Sequence, residues 1–179
     1  MESVVHGRWS TWDRTRARFV NGRSPWSVSH VESGVYLGGA PVSDADVATL
    51  RALRIRSVVT LLMPHEACAD PRAYGATHVL RLPTPDGATP TDEQLRAAAR
   101  FVRQSRARGN VFVHCKSGVG RSAACVVAHV AASRAVHLST AFAIVRTRRP
   151  QIRWKRRYSQ PFCASLTRVA PLQSAAFRL

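Results

Sequence analysis

The sequence predicts an α/β fold: a single domain with a central, mainly parallel sheet of four or five strands, flanked by helices. Two observations predict it. Short apolar, β-branched runs recur along the chain, each bounded by Gly, Pro or polar turn residues. Between them lie segments with helical spacing and capping signals, the crossovers that parallel strands require. A length of 179 residues with 45% apolar content suits one domain with a core of its own.

Residues 1–27 form an irregular, basic lead-in to a domain expected over 28–179, and polar, irregular character continues to residue 30. Val35-Tyr36-Leu37 before Gly38-Gly39 reads as a strand ending in a turn. Ser43 or Asp44 can cap a helix to Leu53, with Val47, Leu50 and Leu53 on one face. Ser57 to Leu62 is a buried strand that Pro64 ends. His78 to Leu82 is a further strand, followed by a Pro-rich loop from Pro83 to Pro90. Thr91-Asp92-Glu93-Gln94 is a capping box opening a helix to Arg108, where Gly109 stops it. Val111-Phe112-Val113 is the next strand, and Gly118 to Ser133 a loop passing into a helix. Ser139 caps a helix to Arg149, broken by Pro150, and a last helix covers Tyr158 to Val169. No apolar run approaches the ~18–20 residues that span a bilayer. The longest, Ala123 to Ala132, contains His129 and reads as a buried helix.

Charge is distributed unevenly. The formal net charge is +17, yet residues 1–93 hold ten Arg and all ten acids, a balance of zero. Residues 94–179 hold fifteen Arg and two Lys without an acid. A one-signed half attracts an anion: a phosphoprotein, an anionic phospholipid surface or nucleic acid. An Arg-favouring genome accounts for 25 Arg against two Lys, but not for the missing acids. Arg148, Arg149, Arg153, Lys155, Arg156 and Arg157 form a basic cluster that could contact lipid, acidic peptide or RNA. Only Trp154 and Tyr158 are interleaved with it, too few for a base-stacking platform. Met1 to Arg23 lacks the apolar middle of a secretory signal. Its five arginines against two acids suit a transit peptide, but two tryptophans and no apolar face argue against one.

Cys68, Cys115, Cys125 and Cys163 are too scattered for a disulfide framework, and no His/Cys cluster has metal-ligand spacing. They point to a reducing, intracellular compartment, the cytoplasm first and the mitochondrion second. No metal or organic cofactor is implied, and a monomer is expected.

Between the strand at Val111 and the following helix lies His114-Cys115-Lys116-Ser117-Gly118-Val119-Gly120-Arg121-Ser122. A lone cysteine at a strand end is ordinarily a small buried hydrophobe. Here five residues separate Cys115 from Arg121, enough to curl the backbone so that successive N–H groups point inward. Gly118 and Gly120 permit the angles and close approach this needs. The helix adds the positive end of its dipole, so the pocket suits a phosphate and its field should favour the Cys115 thiolate. Arg121 offers a fork for two phosphate oxygens. Ser122 can donate to the sulfur and assist its departure. His114 hydrogen-bonds locally and orders the loop, and Lys116 and Ser117 lie near the pocket rim. The binding surface is therefore Lys116, Ser117, Gly118, Val119 and Gly120. The motif is no nucleotide-binding loop, since no Lys follows Gly120.

His114 to Ser122 resembles the signature of the protein tyrosine phosphatase superfamily. Gly34 to Pro41 and Ile55 to Leu61 are similar to its small dual-specificity branch, and the resemblance covers roughly residues 28–169. Leu82-Pro83-Thr84-Pro85-Asp86 and Cys115-Lys116 look most like the mitochondrial phosphatidylglycerophosphate phosphatase group. Arg148-Arg149-Pro150-Gln151-Ile152 is similar to the family's Arg-Pro segment. The resemblance implies hydrolysis of phosphotyrosine, phosphoserine or phosphothreonine in proteins through a phosphocysteine. Phospholipid head groups are the alternative, with RNA 5′-phosphate hydrolysis and a non-catalytic phosphate-binding module behind them. It also implies that Lys116 suits an extra phosphate or an acidic flank, and that Cys68 could form a protective disulfide with oxidised Cys115. A buried spectator is the simpler reading of Cys68, as of Cys125 and Cys163.

Ester cleavage needs a proton for the leaving oxygen and later a base for water. Asp86 lies in a Pro/Gly loop just after a strand, and by resemblance occupies the acid position. Asp92 and Glu93 compete nearby, but the capping box makes them first-turn helix acids.

Overall fold

The computed structural model describes residues 5–6 and 27–153. Its strands are β1 (Val5–His6), β2 (Ser29–Glu32), β3 (Val35–Gly38), β4 (Ile55–Thr60), β5 (Cys68–Ala69), β6 (His78–Arg81) and β7 (Asn110–His114). Its helices are α1 (Asp44–Ala52), α2 (Asp92–Ser105), α3 (Arg121–Arg134) and α4 (Leu138–Arg148). The central sheet has the order β2-β3-β7-β4-β6. The last four strands run parallel and β2 pairs antiparallel with β3, so the expected five-stranded, mainly parallel sheet is present.

Strand alternation explains why both faces are covered. Val35, Leu37, Val59, Val111 and Val113 join one buried cluster with α2, α3 and α4. Val58 and Phe112 point the other way, into a second cluster with Val47 and Leu50 of α1. A strand buried on both faces must be apolar throughout, as the run Val111-Phe112-Val113 is. In α3 every residue from Arg121 to Ala131 is buried, the mark of a helix enclosed by its neighbours. Among the described residues, no single helix is long and apolar enough to cross a membrane.

Several local expectations are corrected. Of the two candidate caps of α1 it is Ser43 that serves, in a reciprocal box with Asp46. The α4 cap is His137 rather than Ser139: its ring accepts from the Ser139 amide and its carbonyl already receives the Ala141 amide. The α2 helix ends at Ser105 and a 3₁₀ turn, Arg106–Arg108, completes the run to Gly109. β2 falls partly in the stretch read as irregular. It has one fully buried residue, Val31, and becomes a strand by pairing with β3 across the turn at Gly34, whose φ is +72°. Two further residues of the lead-in, Val5–His6, pair with Cys68–Ala69. The expected helix from Tyr158 to Val169 lies outside the described residues.

The chain enters β4 and β6 before returning to insert β7 between β3 and β4. The loop after β7 therefore leaves the middle of the sheet at its carboxyl edge, flanked by the ends of β3 and β4.

Candidate active site

The ladder extends one residue beyond β4, where the Leu61 amide donates to His114 O at 3.0 Å. After Cys115, each of the five carbonyls from Lys116 to Gly120 accepts a hydrogen bond from a donor on the outer side of the loop. Lys116 O accepts from the Ala40 amide (3.1 Å), Ser117 O from Arg149 Nη2 (3.1 Å) and Gly118 O from Arg149 Nε (2.7 Å). Val119 O accepts from the Arg153 amide (3.2 Å) and Gly120 O from the Ala124 amide of α3 (2.9 Å). In a trans peptide the N–H opposes the C=O, so the amides of residues 117–121 turn toward the concave side. That is an anion-binding nest at the start of a 14-residue helix.

Cys115 lies at the base of this nest and is 3% exposed. Burial pushes its thiol up. The Arg121 charge, the Ser122 hydroxyl at 3.2 Å and the Ser122 and Gly118 amides outweigh burial and hold the thiol below its ordinary value. The balance shifts Cys115 toward the thiolate relative to an ordinary cysteine.

Arg121 is gripped end-on by Glu66. Nη1 donates to Glu66 Oε2 at 2.7 Å and Nη2 to Oε1 at 2.8 Å, while Nη1 also meets the Thr84 and Leu61 carbonyls. Glu66 is in turn fixed by the Met63 amide at 2.8 Å. Burial pushes the Glu66 carboxyl up, and the Arg121 bonds more than reverse this, leaving it low and ionised. Nη2 reaches Asp86 Oδ1 at 3.2 Å, and Asp86 is 68% exposed at the mouth. Among the described residues, the Nε–H of Arg121 has no partner. Nε–H and the Nη2–H facing Asp86 are thus the edge that Glu66 and the Leu61 and Thr84 carbonyls leave untaken.

A small open cavity of about 150 Å³ is lined by Asp86, Cys115, Ser117, Val119, Gly120, Arg121 and Arg153, with Gly87 and Ala88. The structure thus gathers Cys115, Arg121, Ser122, Asp86 and most of the expected loop surface at one point. Lys116 is half-buried and outside the lining, with its charge felt by Glu66. Only Gly118 of the two loop glycines needs a left-handed backbone, at φ +65°. A Cβ there would lie 2.4 Å from the Gly38 carbonyl. Gly120 has φ −117°, open to other residues.

Two expectations change. His114 does not order the loop through ring hydrogen bonds: neither ring nitrogen has a well-formed partner, and the ring stacks on Phe112 at 5.2 Å. Burial pushes its pKa down to about 4, so it packs as a neutral ring. Arg149, read as part of a basic cluster open to lipid, peptide or RNA, is instead 0% exposed beneath the loop. Cys68 lies on β5, outside the cavity lining, and burial pushes its thiol up to about 12. Glu66 was missed by sequence reasoning. Its signal was positional: an acid just past the carboxyl end of a strand adjacent to the one bearing the nucleophile.

The profile of the dual specificity phosphatase catalytic domain matches residues 35–165. The chain belongs to the dual specificity phosphatase family. A phosphatidylglycerophosphate phosphatase of Arabidopsis thaliana is 29% identical over 126 residues, covering 68% of this family member and 55% of the relative. Dual specificity protein phosphatase 12 of Mus musculus is 33% identical over 125 residues, covering 68% and 36% respectively. The chain thus spans about half the length of the first relative and about a third of the second. Among solved structures, Tk-PTP in its active form aligns with a TM-score of 0.68 at 26% identity, covering 80% of this chain and 96% of that one. PTPMT1 in complex with PI(5)P aligns with a TM-score of 0.69, over the same shares, and at 22% identity the likeness is one of fold.

Proposed function

We propose that the chain hydrolyses phosphomonoesters through a phosphocysteine, with phosphorylated Tyr, Ser and Thr side chains of proteins as substrates. One observation carries the reaction: a thiol held low by Arg121 and Ser122, with Asp86 across the same small cavity.

The phosphate dianion enters the nest and takes the free edge of Arg121, displacing Asp86 from Nη2. General-acid catalysis requires that the productive complex carry a proton on Asp86. The Cys115 thiolate attacks phosphorus. As the S–P bond forms, the P–O bond breaks and the leaving oxygen takes its electron pair and the Asp86 proton. The inward amides and Arg121 hold the equatorial oxygens, where charge is stabilised in the transition state. Asp86, now a carboxylate, takes a proton from water as that water attacks phosphorus. The S–P bond breaks, Ser122 donates to the departing sulfur, and phosphate leaves. Glu66 keeps Arg121 in place throughout.

A second reading, a phospholipid head group as substrate, is favoured by the acid-free second half and by Arg153 in the cavity lining. Support also comes from the relatives named as phosphatidylglycerophosphate phosphatases.

Phosphate release without divalent metal tests both readings, first from an aryl phosphate, then from phosphopeptides, phosphatidylglycerophosphate, phosphoinositides and triphosphorylated RNA. Preference for the peptides supports the first reading and preference for the lipids the second. No turnover on any of them by folded protein overturns both.

A further inference from the structure

Arg149 is a fully buried guanidinium that does not itself line the cavity, yet it meets three separate elements. Nε donates to Gly118 O at 2.7 Å and Nη2 to Ser117 O at 3.1 Å. Nη1 donates to the Ser27 carbonyl, and lies 3.2 Å from Ser29 Oγ, 3.4 Å from Ser27 Oγ and 3.5 Å from Leu37 O. The side chain thus ties the segment entering β2 and the end of β3 to the underside of the phosphate loop.

Those two loop bonds decide which way two peptide planes face. With Ser117 O and Gly118 O drawn toward Arg149, the Gly118 and Val119 amides must point to the opposite side. The Gly118 amide is one of the groups that hold the Cys115 thiol low. The same peptide sits where no side chain fits, since a Cβ on Gly118 would come within 2.6 Å of Arg149 Nη2. Burial pushes Arg149 down to about 10, still well above neutral pH, so a positive charge stays beneath the loop.

We propose that Arg149 is a positioning residue for the reaction: from behind the loop it holds the Ser117 and Gly118 carbonyls outward, presenting the Gly118 and Val119 amides to the sulfur and the bound phosphate. The inference rests on the phosphocysteine reading and deepens it. A lysine could carry the charge, but its single nitrogen cannot fork to two carbonyls and reach β2 as well.

The test uses two variants of the full chain, Arg149→Met and Arg149→Lys, each checked for folding by circular dichroism and thermal melting. The readouts are the pH dependence of Cys115 alkylation by iodoacetamide, followed by mass spectrometry, and binding of inorganic phosphate by calorimetry. In Arg149→Met the alkylation midpoint should move to higher pH and phosphate affinity should fall about 10–100-fold, the range for losing charge-supported amide donors. Arg149→Lys should bring the midpoint back toward wild type while phosphate affinity stays low. A folded Arg149→Met with wild-type midpoint and affinity overturns the proposal. If Arg149→Met does not fold, wild-type phosphate affinity in Arg149→Lys overturns it equally. Neither readout needs turnover, so an inactive wild type would sink the proposed reaction without touching this result.

Discussion

Glu66 and Arg121 form a buried, two-bonded ion pair 55 positions apart in sequence, with N–O distances of 2.7 and 2.8 Å and side chains only 8% and 3% exposed. The pair sets the guanidinium before any substrate arrives. In the proposed reaction a phosphate would therefore meet a clamp whose orientation costs little further entropy.

Removing that partner should be felt in both stability and binding. Glu66→Gln leaves the Arg121 charge buried without its counter-ion, a loss of about 3–5 kcal/mol for pairs of this kind. The melting temperature should fall, and KM for an aryl phosphate should rise more than tenfold. An unchanged melt and KM would show that the loop holds Arg121 without Glu66.

Asp86 should matter in proportion to the need for a proton. Asp86→Ala should lower kcat by ~10²–10⁴-fold on an alkyl phosphate, whose leaving group is poor. On an aryl phosphate with an acidic leaving group the loss should be under tenfold. Full activity on the alkyl substrate would place the acid elsewhere.

Arg153 lines the cavity, and among the described residues its guanidinium has no partner, while its amide is pinned to Val119 O. Arg153→Gln should raise KM by up to about fivefold for substrates with a second anionic group, the range for an exposed charge pair. KM for a plain aryl phosphate and kcat for both should stay put. Equal effects on substrates with and without the second anionic group would rule out a contact with that anion.

Acid should weaken the fold in two steps. His114 is pushed by burial down to about 4. Its neutral form is favoured on folding, so that contribution is whole above the unfolded value of about 6.5 and is lost as pH falls toward 4. Glu32 is held down to about 2, first by its hydrogen bond to His129 and also by Arg134 and Arg106. Its contribution is whole above about 4.5 and is lost as pH falls through 2. Denaturant melts at successive pH values should show both slopes. His114→Phe should abolish the upper one and Glu32→Gln the lower.

Much of this protein was legible in its residues. Apolar runs such as Val111 to Val113 could only be strands covered on both faces. Thr91-x-x-Gln94 and Ser43-x-x-Asp46 announced helix starts because capping is chemistry between near neighbours. The order from Cys115 to Ser122 implied an anion nest for the same local reason: a glycine-bearing turn between strand and helix has few ways to fold. Strands β2 and β5 were hidden because they are short: β2 has a single buried apolar residue to mark it, and β5 owes its pairing to the distant Val5–His6.

What the tertiary structure alone decided is which charges act where. Arg148 and Arg149 are neighbours of one type, yet Arg148 faces solvent and Arg149 is sealed beneath the loop by Ser27, Leu37 and Gly118. Glu66 became the partner of Arg121 only because β4 lies beside β7, which no local pattern encodes. Local sequence determines caps, strands and the shape of the nest. Burial and long-range pairing, which depend on how the sheet is ordered, determine which of 25 arginines lies sealed beneath the loop and which one is paired with Glu66 at the cavity.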